Sequence, residues 1–254
     1  MIVGASSLVC EVKIIEEPEL VNPILIEGLP GIGLVANLVT LHLIRSLGAK
    51  LFVEISSSAF QGLVTTTHNG RAVLPINELH YYRRSGGSDI IFLYGNTQAL
   101  TPYGQYELCG RILDVAEKFG CKRIITLGGM RVDEVSTPPA LYCAAIDKES
   151  LDVAVKYGAK IIRGGHIFGV AGLLLGLGKI RGMRGLCLLG ETVGQYPDAE
   201  AAYVVMEALQ KILKLDRDLV FRLDLKEELA VGDRFMGQPF TTREKKEFPK
   251  EWLL

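Results

Sequence analysis

The chain predicts an α/β fold with a mostly parallel sheet covered on both faces, and three observations predict it. Short apolar, β-branched runs alternate with amphipathic stretches along most of its length, as strand–helix–strand units do. Glycines and prolines stand at the junctions, as at Gly48, Pro102 and Gly120. The chain has 254 residues, 48% of them hydrophobic, enough to bury a substantial core.

Residues 8–15 and 23–26 read as the first two strands, the second ending at the stretch Gly28-Leu29-Pro30-Gly31-Ile32-Gly33. A helix is expected over 31–47, where Leu34, Leu38, Leu41 and Ile44 recur at helical spacing and Gly48 ends the run. Residues 50–56 form the next strand. Segments 64–67 and 72–74 flank His68-Asn69-Gly70-Arg71 as a hairpin, because Asn-Gly suits a tight turn with positive φ. Residues 79–83 are expected to add an edge strand. Strands over 89–94 and 122–127 enclose a helix over 102–119, with Thr101 as N-cap, Pro102 at its first position and Gly120 just past its end. A strand over 141–146, a helix over 148–156, a short strand over 160–162 and a helix over 170–180 follow. Residues 186–190 are a buried strand. The helix after Pro197 has Asp198 and Glu200 in its first turn and Lys211 and Lys214 in its last, complementing its dipole. The composition changes after Leu215. Residues 1–215 are expected to form the main domain, with 216–254, including a charged helix over 217–230, as a helical appendage and tail of the same structural domain.

Composition narrows the function. A net charge of −1 gives no electrostatic case for nucleic acid. The five cysteines, Cys10, Cys109, Cys121, Cys143 and Cys187, are scattered in apolar surroundings without C-x-x-C spacing, which suits reduced thiols in a cytoplasmic protein. The beginning, Met1-Ile2-Val3-Gly4, does not read as a signal peptide. The longest uncharged apolar segment, 167–178, is shorter than the roughly 20 residues a membrane helix needs, so a soluble protein is expected.

Gly31-x-Gly33-x-x-Ala36 matches the dinucleotide fingerprint, and Glu54 lies near the spacing of a ribose-binding acid. Pro30, however, removes a backbone N–H from a site that depends on donors. Two further glycine corners are expected. Gly128-Gly129-Met130-Arg131 follows a strand and could hold an anion; Gly164-Gly165-His166 precedes Gly169, Gly172, Gly176 and Gly178. The alternative reading is therefore a nucleoside- or phosphate-binding enzyme or sensor using Gly31, Gly33, Gly129, Arg131 and His166. The preferred reading makes these corners packing devices, with Gly28, Pro30, Gly31, Gly33, Gly172 and Gly176 in structural roles.

No catalytic constellation is visible. His42 reads as a packed or surface imidazole, His68 sits in the hairpin turn, His80 precedes two tyrosines, and His166, the best placed, lacks an evident acid partner; Asp133-Glu134 read as a solvated loop, and Ser56-Ser57-Ser58 lack a base. There is no G-x-S-x-G, H-E-x-x-H or lysine-containing P-loop. No cofactor and no metal are expected.

An ordered set of motifs carries a resemblance. It comprises Gly28-Leu-Pro-Gly31-Ile-Gly33, Tyr94-Gly-Asn with Thr101-Pro-Tyr-Gly-Gln-Tyr106, Gly169-Val-Ala-Gly172-Leu-Leu-Leu-Gly176, and Gly190-Glu-Thr with Tyr196-Pro-Asp-Ala-Glu-Ala-Ala202. Over residues 8–215 the chain resembles the proteasome assembly chaperone family, in its archaeal branch homologous to the second eukaryotic assembly chaperone. The resemblance implies a three-layer α/β/α sandwich like that of purine nucleoside phosphorylase, without that enzyme's activity. It also implies an oligomeric scaffold that binds proteasome α-subunits or other assembly partners through surfaces and C-terminal tails. Such docking tails end in hydrophobic-tyrosine-any; here Trp252, Leu253 and Leu254 put leucine at the tyrosine position. These three residues are the expected partner contacts of a non-enzymatic, homo-oligomeric, cytoplasmic assembly factor, with their apolar side chains entering a groove; the alternative is a tail that folds back on its own domain.

Overall fold

A computed structural model describes residues 10–66, 69–195 and 197–215. Its centre is a nine-stranded mixed sheet. The strands are β1 (Cys10–Ile14), β2 (Ile24–Gly28), β3 (Lys50–Ser57), β6 (Asn77–Tyr82), β7 (Ile90–Gly95), β8 (Arg123–Arg131), β9 (Leu141–Ala145), β10 (Lys160–Ile161) and β11 (Arg184–Thr192). Their spatial order is β1-β3-β6-β7-β2-β8-β11-β9-β10. A separate hairpin joins β4 (Thr65–Thr66) to β5 (Ala72–Val73), where the sequence predicts one. Thr67, expected to end the first of these strands, and His68, expected in the turn, lie outside the described residues.

Five helices are present among the described residues: α1 (Val35–Leu47), α2 (Pro102–Lys118), α3 (Lys148–Lys156), α4 (Gly169–Ile180) and α5 (Ala199–Leu213). The helix expected from Gly31 begins instead with a 3-10 turn, Ile32–Leu34, and becomes α-helical only at Val35, because Gly33 and Leu34 both take positive φ. Thr101 caps α2 as expected, accepting a hydrogen bond from the Gly104 amide, whereas Asp198, expected in the first turn of α5, is its N-cap and accepts from Ala201.

The sheet corrects the expectation of a mostly parallel arrangement. β7, β2, β8 and β11 are mutually parallel, as is the β9–β10 pair, whereas β1–β3, β3–β6, β6–β7 and β9–β11 are antiparallel. The reason lies in the connections. Parallel neighbours need a crossover, normally helical, and the chain between β3 and β7 contains none, so it meanders. β6 is also not an edge strand, since it sits between β3 and β7; β1 and β10 form the edges. Gly128 and Gly129, expected to form a corner, lie inside β8, in register with Leu189 and Gly190 of β11.

Period-two alternation divides the core. Ile24 and Ile26 of β2, Ile90 and Phe92 of β7, and Ile125 and Leu127 of β8 join one apolar cluster with α1 and α5. Leu25, Ile91, Leu93 and Ile124 join another with α2 and α4. The first ten residues of α1 are all buried, including Asn37, Thr40 and His42, because the helix lies between the sheet and α5. None of the described helices is long and apolar enough to cross a membrane.

Candidate functional site

The carboxyl ends of β2 and β7 are where this architecture would hold a ligand. The chain leaving β2 passes to the cluster of α1, and the chain leaving β7 passes to the cluster of α2. Neighbouring parallel strands whose connections go to opposite faces leave a crevice between their ends, the usual ligand position in open α/β sheets.

Here the crevice is stitched by the protein's own amides. Asn37 Nδ2, from α1, donates to the carbonyls of Gly28 (3.2 Å) and Gly95 (2.9 Å), tying the two strand ends together. Gln98, in the loop after β7, donates from Nε2 to the Pro30 carbonyl at 2.7 Å. Its Oε1 accepts from the Val170 amide at 3.0 Å and from Gln105 Nε2 at 3.2 Å. One side chain thus joins the β2–α1 corner to α2 and to the first turn of α4.

The glycines around this clasp make close backbone approaches. A Cβ on Gly28 would overlap the Thr40 side chain, and one on Gly129 would overlap the Ile32 carbonyl. Gly33 has φ of 64°, and its carbonyl accepts from the Asp198 amide at 2.9 Å, which joins the corner to the start of α5. Thr192 Oγ1 donates to Asp198 Oδ2 at 2.6 Å beside it. Gly31, by contrast, has φ of −147°, and a Cβ there would meet nothing within 4 Å. In α4 a Cβ on Gly172 would overlap the Ile167 carbonyl, one on Gly176 would face open space, and one on Gly178 would reach Ile124.

The structure thus brings Gly33, Gly129 and Pro30 into one neighbourhood. Arg131 is exposed at the end of β8. His166 lies in the loop entering α4, its ring 5.9 Å from that of Phe168. Glu54 pairs with Lys13 at 2.9 Å, on a strand separated from β2 by β6 and β7. Among the other sequence candidates, His42 meets Ser46 at 3.2 Å, His80 meets Glu78 at 2.9 Å, and Asp133 and Glu134 are exposed. Ser56, Ser57 and Ser58 line an open cavity of about 490 Å³ with Phe60, Leu63 and Leu74. No group of three or more metal-ligating side chains occurs among the described residues. Trp252, Leu253 and Leu254, and the helix expected over 217–230, lie outside the described residues.

Sequence reading missed the residues that close the site. Asn37 and Gln98 carry no motif, because the partners that make them a clasp, Gly95 for the one and Pro30 and Val170 for the other, lie 58 to 72 residues away along the chain. It also missed two buried carboxyl groups. Glu191 on β11 accepts from the Ser136 and Ala140 amides, both at 3.0 Å, and from the Tyr142 hydroxyl at 2.9 Å. Burial acts to raise its pKa, but these donors outweigh burial and hold it at about 2. Glu27, at the end of β2, is 1% exposed.

Comparison with known proteins bears on what this closed site means. An uncharacterized protein of Methanocaldococcus jannaschii is 36% identical over 208 residues, covering 81% of this chain and 79% of its own. The crystal structure of Pyrococcus furiosus PbaB, described as an archaeal proteasome activator, has 37% identity and a TM-score of 0.79, covering 88% of this chain and 98% of that one. That of Pyrococcus furiosus PbaA, described as an archaeal homolog of proteasome-assembly chaperone, has 28% identity and a TM-score of 0.70, covering 90% and 96%. The PAC2 family model matches residues 25–230, a span that takes in the corner, the clasp and all five helices, and the chain belongs to the PAC2 family.

Proposed function

We propose that the protein is a non-enzymatic scaffold or chaperone for assembly of the proteasome, through its α-subunits, or of a related complex, acting in the cytoplasm as a homo-oligomer. The observation that carries this reading is the closed crevice. Asn37 and Gln98 tie together by hydrogen bonds the segments between which an α/β enzyme would admit a substrate. Family membership and the likeness to PbaB and PbaA point in the same direction.

In this reading the fold is the three-layer α/β/α sandwich of the nucleoside phosphorylase type. The two core clusters built from alternate strand residues support it. Residues 216–254 belong to the same structural domain as 1–215, and the family match running to residue 230 supports a unit that extends past Leu215. Gly28, Pro30, Gly33 and Gly172 act structurally, by close approach or through the clasp; Gly31 and Gly176 have open surroundings and complete the set only as turn and helix positions. Trp252, Leu253 and Leu254 contact the partner, and oligomerisation multiplies weak contacts into avidity.

Affinity capture from a lysate that contains proteasomes tests the reading, comparing the intact chain with one lacking residues 252–254. Recovery of α-subunits by the intact chain and their loss on truncation is expected. Equal absence from both would remove the assembly role. A thermal-shift panel of nucleosides, phosphate and NAD separates the enzymatic alternative: stabilisation by one of them, by mass action, would favour it.

A further inference from the structure

We propose that Glu27 is a proton switch beneath the β2–α1 corner: with its proton it keeps the corner and the Gln98 clasp shut, and without it both loosen. The inference does not depend on the assembly role. Glu27 is in register with Leu93 of β7, which belongs to the cluster of α2 and α4, and with Thr126 of β8. Its Oε1 accepts from the Leu29 amide at 2.9 Å, but its Oε2 is buried without a hydrogen-bond partner among the described residues.

An ionised carboxylate with a buried, unpartnered oxygen is costly, whereas a neutral acid is tolerated there. Among the described residues, no lysine, arginine or histidine acts on Glu27. Burial dominates and raises its pKa to about 8, against the pull of the Leu29 and Leu127 amides. The titratable groups that feel its charge are the thiols of Cys109, on α2, and Cys187, on β11. Burial pushes both up, Cys187 to about 12, so they stay neutral while Glu27 titrates. β7 and α4 face this layer with apolar residues, Leu93 from the one and Val170 and Leu174 from the other.

The corner stands directly on this group. Gly28, the next residue, has its carbonyl held by Asn37, and the Pro30 carbonyl is held by Gln98, which also holds the Val170 amide. Charge at Glu27 therefore acts on the same few residues that close the crevice.

The sign follows from linkage. The folded-state pKa lies above the ordinary value of 4.5, so the stabilisation is fully present below that value and is lost as pH rises to about 8. Across that window the folded state holds one proton more than the unfolded state, and the unfolding constant rises about tenfold per pH unit from this group.

Urea unfolding of the full chain and of Glu27→Gln from about pH 5 to 9.5 tests this, together with amide hydrogen exchange at Leu29 and Val170. The wild-type slope is expected to exceed that of the variant by one proton. Protection of both amides, corrected for intrinsic exchange, should fall near pH 8 in the wild type alone. Equal slopes, or protection that falls alike in both proteins, would overturn the switch. Should Glu27→Gln fail to fold, a ¹³C titration of the wild-type Glu27 carboxyl decides: a midpoint near 8 supports the switch, and one below about 6 removes it.

Discussion

Gln98 uses both ends of its amide, the Nε2 as donor to Pro30 and the Oε1 as acceptor from Val170 and Gln105. Truncation would leave the Pro30 carbonyl and the Val170 amide unpaired beneath the surface, so Gln98→Ala is expected to cost about 1–3 kcal/mol in urea denaturation. The glycines divide in the same local terms. Gly28→Ala would force a Cβ into Thr40 and is expected to destabilise by about 1–3 kcal/mol. Gly176→Ala meets open space within α4 and is expected to stabilise by about 0.5–1 kcal/mol, as glycine is a poor helix former. Thermal melts of the two variants should therefore move in opposite directions. If both fall, close approach is not what separates these positions.

At the scale of elements, Glu191 orders the loop over residues 132–140 by accepting from Ser136, Ala140 and Tyr142. Its folded pKa of about 2 lies below the ordinary 4.5. Its stabilisation is therefore present above 4.5 and is lost as pH falls through about 2. Glu191→Gln should flatten the acid limb of the stability curve between these values and leave it unchanged near neutrality in slope, measured by urea unfolding at stepped pH. Elements bounded by local chemistry were legible in the sequence. Thr101-Pro102 opens α2 and Asp198 opens α5 because capping needs only residues a turn apart. Sheet order was not legible. Residues 79–83 read as an edge strand, yet both sides of β6 are paired, and the pairing depends on segments far along the chain. Gly128-Gly129 reads as a turn because glycine pairs usually make turns. In β8 the pair is explained by what presses on it, Leu189 on Gly128 and the Ile32 carbonyl on Gly129, and neither neighbour is local.

At the scale of the whole described molecule, the nine-stranded sheet carries apolar layers on both sides, and the same strands feed both. Ile24 and Ile26 of β2 enter one cluster and Leu25 the other. Neither layer can melt while the other keeps its strands, so the sheet is expected to unfold in one cooperative transition. Near- and far-ultraviolet circular dichroism should give coincident urea curves; separated midpoints would mean that the layers are independent. Arg84 adds a long-range tie, donating to the Leu213 and Lys214 carbonyls at 3.0 Å each and fixing the end of α5 against the chain after β6. The two borders of the sheet have a consequence of their own. On one side β10 offers only two residues, and on the other β1 exposes Glu11 and Lys13. Short or charged margins give a foreign strand little to zip onto, so lateral, amyloid-like growth along the described borders is disfavoured.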